Sequence, residues 1–220
     1  MGIQSLALRL LIVAVALPAL SSTVRATAVD PSALVTELGV QLRQVLGDNG
    51  LTPIQRQQRF RQLLDEGFDF PTISRFVLGR YWQTANDAYR QEFSGVFEDY
   101  LIQSLSGRFG EYSGESMKVT ATRTEGERST IVSTAIIHPN GAPPAKVDWR
   151  VLNTPTGFKI ADVSVSGISM ALSYREQFAA VIDHDGGQIS TLISDLREKL
   201  RGQPNNKSAS SGDATNETRP

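Results

Sequence analysis

The sequence predicts an α+β fold: a twisted antiparallel sheet of about four strands, covered by helices. Three observations carry this. Apolar residues recur at helical spacing up to about residue 109, alternate with a period of two between Met117 and Ser166, then return to helical spacing. The alternating segments are joined by short connections, which suits an antiparallel meander with one covered face. Helices and strands come in blocks, not in turn, which argues against a βαβ sheet.

The helices begin at Asp30-Pro31, a capping residue followed by proline at the first helical position. Leu34, Leu38, Leu42, Val45 and Leu46 follow, and Gly47 and Gly50 stop the run. Thr52-Pro53 repeats the signal ahead of Ile54, Phe60, Leu63 and Leu64, ending at Gly67. Phe70-Pro71 opens a third segment with Ile73, Phe76 and Val77, closing near Gly79. A long helix is expected from about Ala85 to Phe109. Tyr89, Phe93, Val96, Phe97, Tyr100, Leu101 and Leu105 form its wide aromatic stripe.

In the first strand Met117, Val119 and Ala121 alternate with Lys118, Thr120 and Thr122; Gly126 marks a turn. Arg128 to His138 is β-branched and half alternating, and the stretch from Pro139 to Pro144 is a loop by its turn residues. Val147, Trp149 and Val151 alternate with Asp148 and Arg150, and Phe158 to Ser166 is the fourth strand. Two amphipathic helices finish the domain, one carrying Phe178, Val181 and Ile182, the other Ile189, Leu192, Ile193, Leu196 and Leu200.

The two ends differ from this middle. Arg9 followed by the apolar run Leu10 to Leu20, then small residues around Ala26, reads as an export signal over residues 1–26. Loss of Arg9 and Arg25 on cleavage leaves 20 basic against 23 acidic residues, a net charge of −3. Residues 27–202 form the folded domain. Residues 203–220 carry no large apolar side chain, cannot offset their ordering entropy and are expected to be disordered.

Composition narrows the function. The 220 residues carry 22 Lys and Arg, 23 Asp and Glu and no Cys, for a formal charge of −1. That balance removes the electrostatic footprint of a nucleic-acid binder, and the lack of cysteine removes disulfides and thiolate metal sites. No apolar run reaches the ~18 residues of a membrane span.

Catalytic residue types are scarce. His138 precedes Pro139 at a strand end, and His184 sits at a helix end, where a cation is favourable. Gly167-Ile168-Ser169-Met170-Ala171 approximates a nucleophile elbow between strand and helix, but its second glycine is alanine and Ser169 also suits a helix cap. Asp148, Asp162, Tyr81 and Tyr100 are the types a proton-transfer pocket would use. A small hydrolase or isomerase is therefore the enzyme alternative. No catalytic residue, cofactor or metal ligand is assigned.

Large apolar side chains are abundant, and three stretches carrying them resemble the MlaC family, the toluene-tolerance or lipid-asymmetry periplasmic carriers. They are Phe76-Val77-Leu78-Gly79-Arg80-Tyr81-Trp82 before the long helix, His138 to Trp149 with its Pro-Asn-Gly loop, and Asp162 to Met170 followed by Tyr174-Arg175-Glu176-Gln177-Phe178. The match runs in order from about residue 31 to 200, and a hopanoid-associated branch is a relative of the same pattern. His138 stands where the better-known members carry an acidic residue.

The resemblance implies a monomeric periplasmic phospholipid carrier whose sheet and helices enclose a deep apolar pocket. Its implied partners are an outer-membrane lipoprotein–porin complex and an inner-membrane ABC transporter complex with a membrane-anchored accepting subunit. Hopanoid or another hydrophobic ligand is the alternative cargo. The physics is consistent with this role. A two-tailed lipid has about 30 methylenes worth ~0.8 kcal/mol each on leaving water, some ~24 kcal/mol in all, so both tails need shielding. The pocket is expected near or above ~300–1,000 Å³. Its candidate walls are Phe76, Tyr81, Trp82, Phe97, Tyr100, Leu101, Leu105, Trp149, Val151, Val163, Val165, Ile168, Met170, Phe178 and Ile182, with Arg75, Arg80 or Lys146 at the rim.

Overall fold

Five of the described helices start where a short polar side chain satisfies a free backbone N–H. The computed structural model describes residues 30–202; the expected signal segment and polar tail lie outside the described residues. Helix α1 (Pro31–Gly47) is capped by Asp30, whose carboxylate accepts the Ser32 N–H at 3.0 Å. Helix α2 (Pro53–Gly67) opens with a reciprocal box: Thr52 Oγ1 accepts the Gln55 N–H, and Gln55 Oε1 accepts the Thr52 N–H. Asp69 caps α3 (Phe70–Leu78), and Gly79 then takes a φ of 58° to turn the chain into the short α4 (Tyr81–Thr84). Asn86 caps α5 (Asp87–Ser106), two residues later than the periodicity suggests, and a 3-10 turn at Phe109–Glu111 follows.

The strands are β1 (Ser116–Glu125), β2 (Ser129–Ile137), β3 (Ala145–Thr154), β4 (Gly157–Val165) and β5 (Ile168–Ser169). They pair antiparallel in sequence order, so the meander is as expected, with a two-residue fifth strand at its edge. The register between β3 and β4 shifts: Arg150 faces Asp162 and Val151 faces Ile160, leaving Ala161 as an extra residue. Such a bulge bends the strand and re-aims the side chains around it. Helices α6 (Met170–His184) and α7 (Ile189–Gly202) complete the chain.

Two layers of core result, joined by an α2 cluster in which Phe60 and Leu64 pack with Phe70 and Ile102. On the sheet, Val35 and Leu38 of α1 pack against Val132, Val151 and Ile160, with Trp149 at the margin. Thr134, fully buried there, donates to the Val147 carbonyl and accepts from Trp149 Nε1, each at 3.0 Å. Among the helices, Phe93, Phe97 and Phe178 interlock with Ile182, Leu192 and Leu196. The Phe97 ring lies 5.5 Å from both Phe178 and Tyr174, each edge to face, a preferred aromatic geometry. Away from the helices the sheet carries polar pairs: Asp148 accepts from Ser133 and Lys146, and Arg150 pairs with Glu125.

Candidate functional site

The helix layer is pinned to the sheet at two points along β4. The N–H of Asp69 donates to the Ile160 carbonyl at 2.9 Å, and Phe68 forms a parallel bridge with Ile160, which fixes the α2–α3 corner. One turn further on, Asp162 fixes the start of α6. Its Oδ1 accepts the N–H of Ala171 at 3.0 Å, and its Oδ2 accepts the Ser169 hydroxyl at 2.6 Å.

An apolar pocket lies between these anchors. Its helix side is built by Leu64, Phe68, Phe70, Ile73, Phe97 and Leu101, its floor by Ala161 to Val163 at the bulge, and its third wall by Met170, Ala171 and Tyr174 of α6. The one charged group, Asp162, also accepts the Val163 N–H at 2.8 Å, so its carboxylate is occupied by donors and not directed at a ligand. Burial pushes the Tyr174 phenol above its usual range, with the nearby Tyr100 adding to the effect, so the ring stays neutral at ordinary pH. The lining therefore offers hydrocarbon and ring surface with no free charge, a surface suited to an alkyl chain.

The pocket holds about 90 Å³. This corrects the expectation of a void of ~300 Å³ or more, the size of a typical ligand pocket. Large side chains explain the difference. Phe68 belongs at once to the sheet, the α2 and the helix clusters, and Phe97 is fully buried behind it, so rings fill space that tails would need.

Of the expected wall residues, the structure brings Phe97, Leu101, Val163 and Met170 into this pocket. Tyr81, Phe178 and Ile182 are buried within the helix core, with Tyr100 and Trp82 packed at its edge, and Trp149 and Val151 belong to the sheet core under α1. Phe76, Leu105, Val165 and Ile168 are exposed. Arg75, Arg80 and Lys146 do not line the pocket; Lys146 pairs with Asp148 on the sheet. Sequence reasoning missed Leu64, Phe68, Phe70, Ile73, Ala171 and Tyr174 as lining residues. The heptad-like stripe of Ala171, Tyr174, Phe178 and Ile182 was the available signal for α6.

A greasy patch adjoins the pocket at Met170. After the tight turn at Ser166 and Gly167, both with positive φ, Ile168 is 66 % exposed, Leu172 45 % and Val165 41 %. Met170, 37 % exposed, belongs both to this patch and to the pocket wall.

Among the described residues, the side chains offered for an enzyme are held apart. Ser169 caps α6 by accepting the Leu172 N–H at 3.0 Å. His184 ends the same helix, about 22 Å along its axis. Asp148 lies on the sheet's polar side. Burial acts to raise its pKa, but hydrogen bonds from Ser133 and Lys146 outweigh it, so the carboxyl lies below its usual range. Tyr81 donates to Asp183 and not to Asp148 or Asp162. Among the described residues no group of His, Asp and Glu side chains is arranged to hold a metal ion, and no helix is long and apolar enough to cross a membrane.

Comparison with known proteins agrees with this geometry. A solved structure of a phospholipid-binding protein from Ralstonia solanacearum in complex with a phospholipid superposes with a TM-score of 0.69, at 26% identity, over 78% of this chain and 97% of that one. A curated relative, the toluene tolerance protein ttg2D of Pseudomonas putida, is 23% identical over 133 residues, which is 60% of this chain. The match spans 61% of that relative's length. The family model described as MlaC protein matches residues 34–198, three quarters of the sequence, and the chain belongs to the MlaC family.

Proposed function

We propose that this protein is a periplasmic carrier that holds the acyl chains of a phospholipid in the pocket between β4 and the α5–α6 layer. The observation that carries the reading is the pocket itself: a hydrocarbon and aromatic lining whose one carboxylate is occupied, adjoining an exposed apolar patch at Met170. Its occurrence in the fold of a structure that holds a phospholipid supports the same reading.

The physics fixes what such a carrier does. Transfer of tails between a bilayer and an apolar pocket is nearly neutral, while exposure to water costs ~0.8 kcal/mol per methylene. The protein exchanges lipid without chemistry, and direction comes from its partners: an inner-membrane ABC transporter complex and an outer-membrane lipoprotein–porin complex. Loading requires the pocket to widen. The side chains of Phe68, Leu101 and Met170 move first, because each is only partly buried or exposed, whereas Phe97 is locked by Phe93, Phe178 and Tyr174.

The test is native mass spectrometry of the protein purified from a periplasmic extract, with organic extraction of whatever it carries. Phospholipid bound near one per chain is the expected result. Protein that emerges empty, and takes up no labelled phospholipid from vesicles, contradicts the proposal.

A further inference from the structure

The motif Phe76-Val77-Leu78-Gly79-Arg80-Tyr81-Trp82 does not line the apolar pocket and is only partly used by the helix core. Val77 and Leu78 are buried, but Phe76 is 43 % exposed on a different face of α3 from Ile73. On that face the motif builds a second feature. A groove of about 490 Å³ runs between α3, α4 and α6, lined by Arg75, Arg80 and Arg175, by the rings of Phe76 and Trp82, and by Thr72, Gly79 and Gln83. Among the described residues no aspartate or glutamate lines it; Asp183 lies in the adjoining hollow beside Arg80.

Its arginines differ in state. Arg80 is bound to Asp183, at 2.5 and 2.6 Å, and donates to the Tyr81 hydroxyl at 2.8 Å, so its charge is largely compensated. Arg75 and Arg175 have no carboxylate partner among the described residues. Arg175 instead lies over the Phe76 ring, 5.2 Å from its centre, which orients the guanidinium along the groove wall. Gly79 makes the room: a Cβ there would lie 2.9 Å from Arg175 Nε. A cation at the end of α3 would by itself be accounted for by the helix dipole, which explains Arg75. It does not explain Arg175, which comes from the first half of α6.

Two uncompensated guanidinium groups on one concave surface, in a chain whose overall charge is −1, form a local anion site. Guanidinium forks match the oxygens of phosphate, and the Phe76 and Trp82 rings offer apolar contact to the organic part of a phosphate ester. We infer that the α3–α4–α6 groove binds a phosphate group through Arg75 and Arg175, at a site separate from the tail pocket. The phosphate is that of a lipid headgroup or a free phosphate anion; both present the same chemistry.

The test uses the ¹⁵N-labelled full-length chain, whose two tryptophans give an internal reference. Trp82 lines the groove, while Trp149 is held in the sheet by Thr134. Inorganic phosphate and dihexanoylphosphatidylglycerol below its micellar concentration are titrated separately, at constant ionic strength. The expected result is a saturable shift of the Trp82 indole signal with the Trp149 signal fixed, and an affinity at least tenfold weaker in an Arg75→Gln/Arg175→Gln variant with an otherwise unchanged spectrum. Saturation by phosphate alone identifies a free anion as the ligand; saturation by the lipid alone identifies a headgroup. Shifts that chloride reproduces, that do not saturate, or that persist in the double variant overturn the inference, as does binding of a glutamate-rich peptide in preference to both phosphates. Lipid loading of the apolar pocket, measured in parallel by mass spectrometry, is independent of these outcomes.

Discussion

Replacing Leu101 with tryptophan tests the pocket through its own dimensions. Leu101 is half-buried on α5, lines the pocket, and touches both the helix and the α2 clusters. The added ring takes the 90 Å³ that is open. If a methylene needs about the ~30 Å³ that a water occupies in the liquid, three methylenes lose their seat. At ~0.8 kcal/mol each, that removes ~2.4 kcal/mol of binding, a ~60-fold rise in Kd. Overpacking typically costs the fold ~1–3 kcal/mol. The assay is displacement of a fluorescent phospholipid, with circular dichroism to confirm folding. Ile54→Phe, which adds a ring at a position 61 % exposed on α2, serves as the control and leaves the affinity unchanged. A folded Leu101→Trp protein that binds as tightly as the parent refutes the placement of tails against α5.

Other consequences concern stability. Phe97→Ala removes a fully buried ring at the centre of the aromatic cluster and is expected to cost ~3–5 kcal/mol. At ~2–4 °C per kcal/mol for a domain of this size, calorimetry should show Tm lower by ~6–20 °C. Asp162→Ala deprives the Ala171 N–H and the Ser169 hydroxyl of a charged acceptor, a loss of ~1.5–3 kcal/mol, and hydrogen exchange at the start of α6 should accelerate. The Ser113 hydroxyl and N–H hold the Glu115 carboxyl down at about 2 from an ordinary 4.5. A depressed pKa stabilises the fold above the unfolded value, and that contribution disappears as pH falls from 4.5 toward 2. Glu115→Gln should therefore lower Tm at pH 7, where that contribution is full, and flatten part of the acid dependence of Tm between pH 4.5 and 2.

Much of the fold is legible because its signals are local. Asp30-Pro31, Thr52-Pro53 and Phe70-Pro71 each announce a helix start, and the change of period from 3.6 to 2 marks the sheet. Strand β5 is not legible, since two residues carry no period and pairing with Val165 and Ser164 alone defines it. The pocket is less legible for a reason visible in α3. Phe70, Ile73 and Val77 share one buried stripe, whereas Phe76 falls off it by one residue and faces outward. Aromatic character alone does not separate the two positions; helix phase does. In the sheet, Trp149 and Val163 face each other in register, yet only Val163 lines the pocket, next to the bulge at Ala161 that re-aims β4 there. Cavity size depends on how far the ring of Phe68 intrudes, a property of three-dimensional packing with no trace in periodicity.

The central claim is that acyl chains enter between β4 and α5. A phospholipid carrying a diazirine near the end of one tail, loaded onto the protein and photolysed, tests it most directly by mass mapping of the adducts. Crosslinks concentrated on the segments 97–101, 161–163 and 170–174 are the predicted result. Crosslinks confined to the outer face of α3 or to the polar side of the sheet, with those segments unmodified, would contradict it.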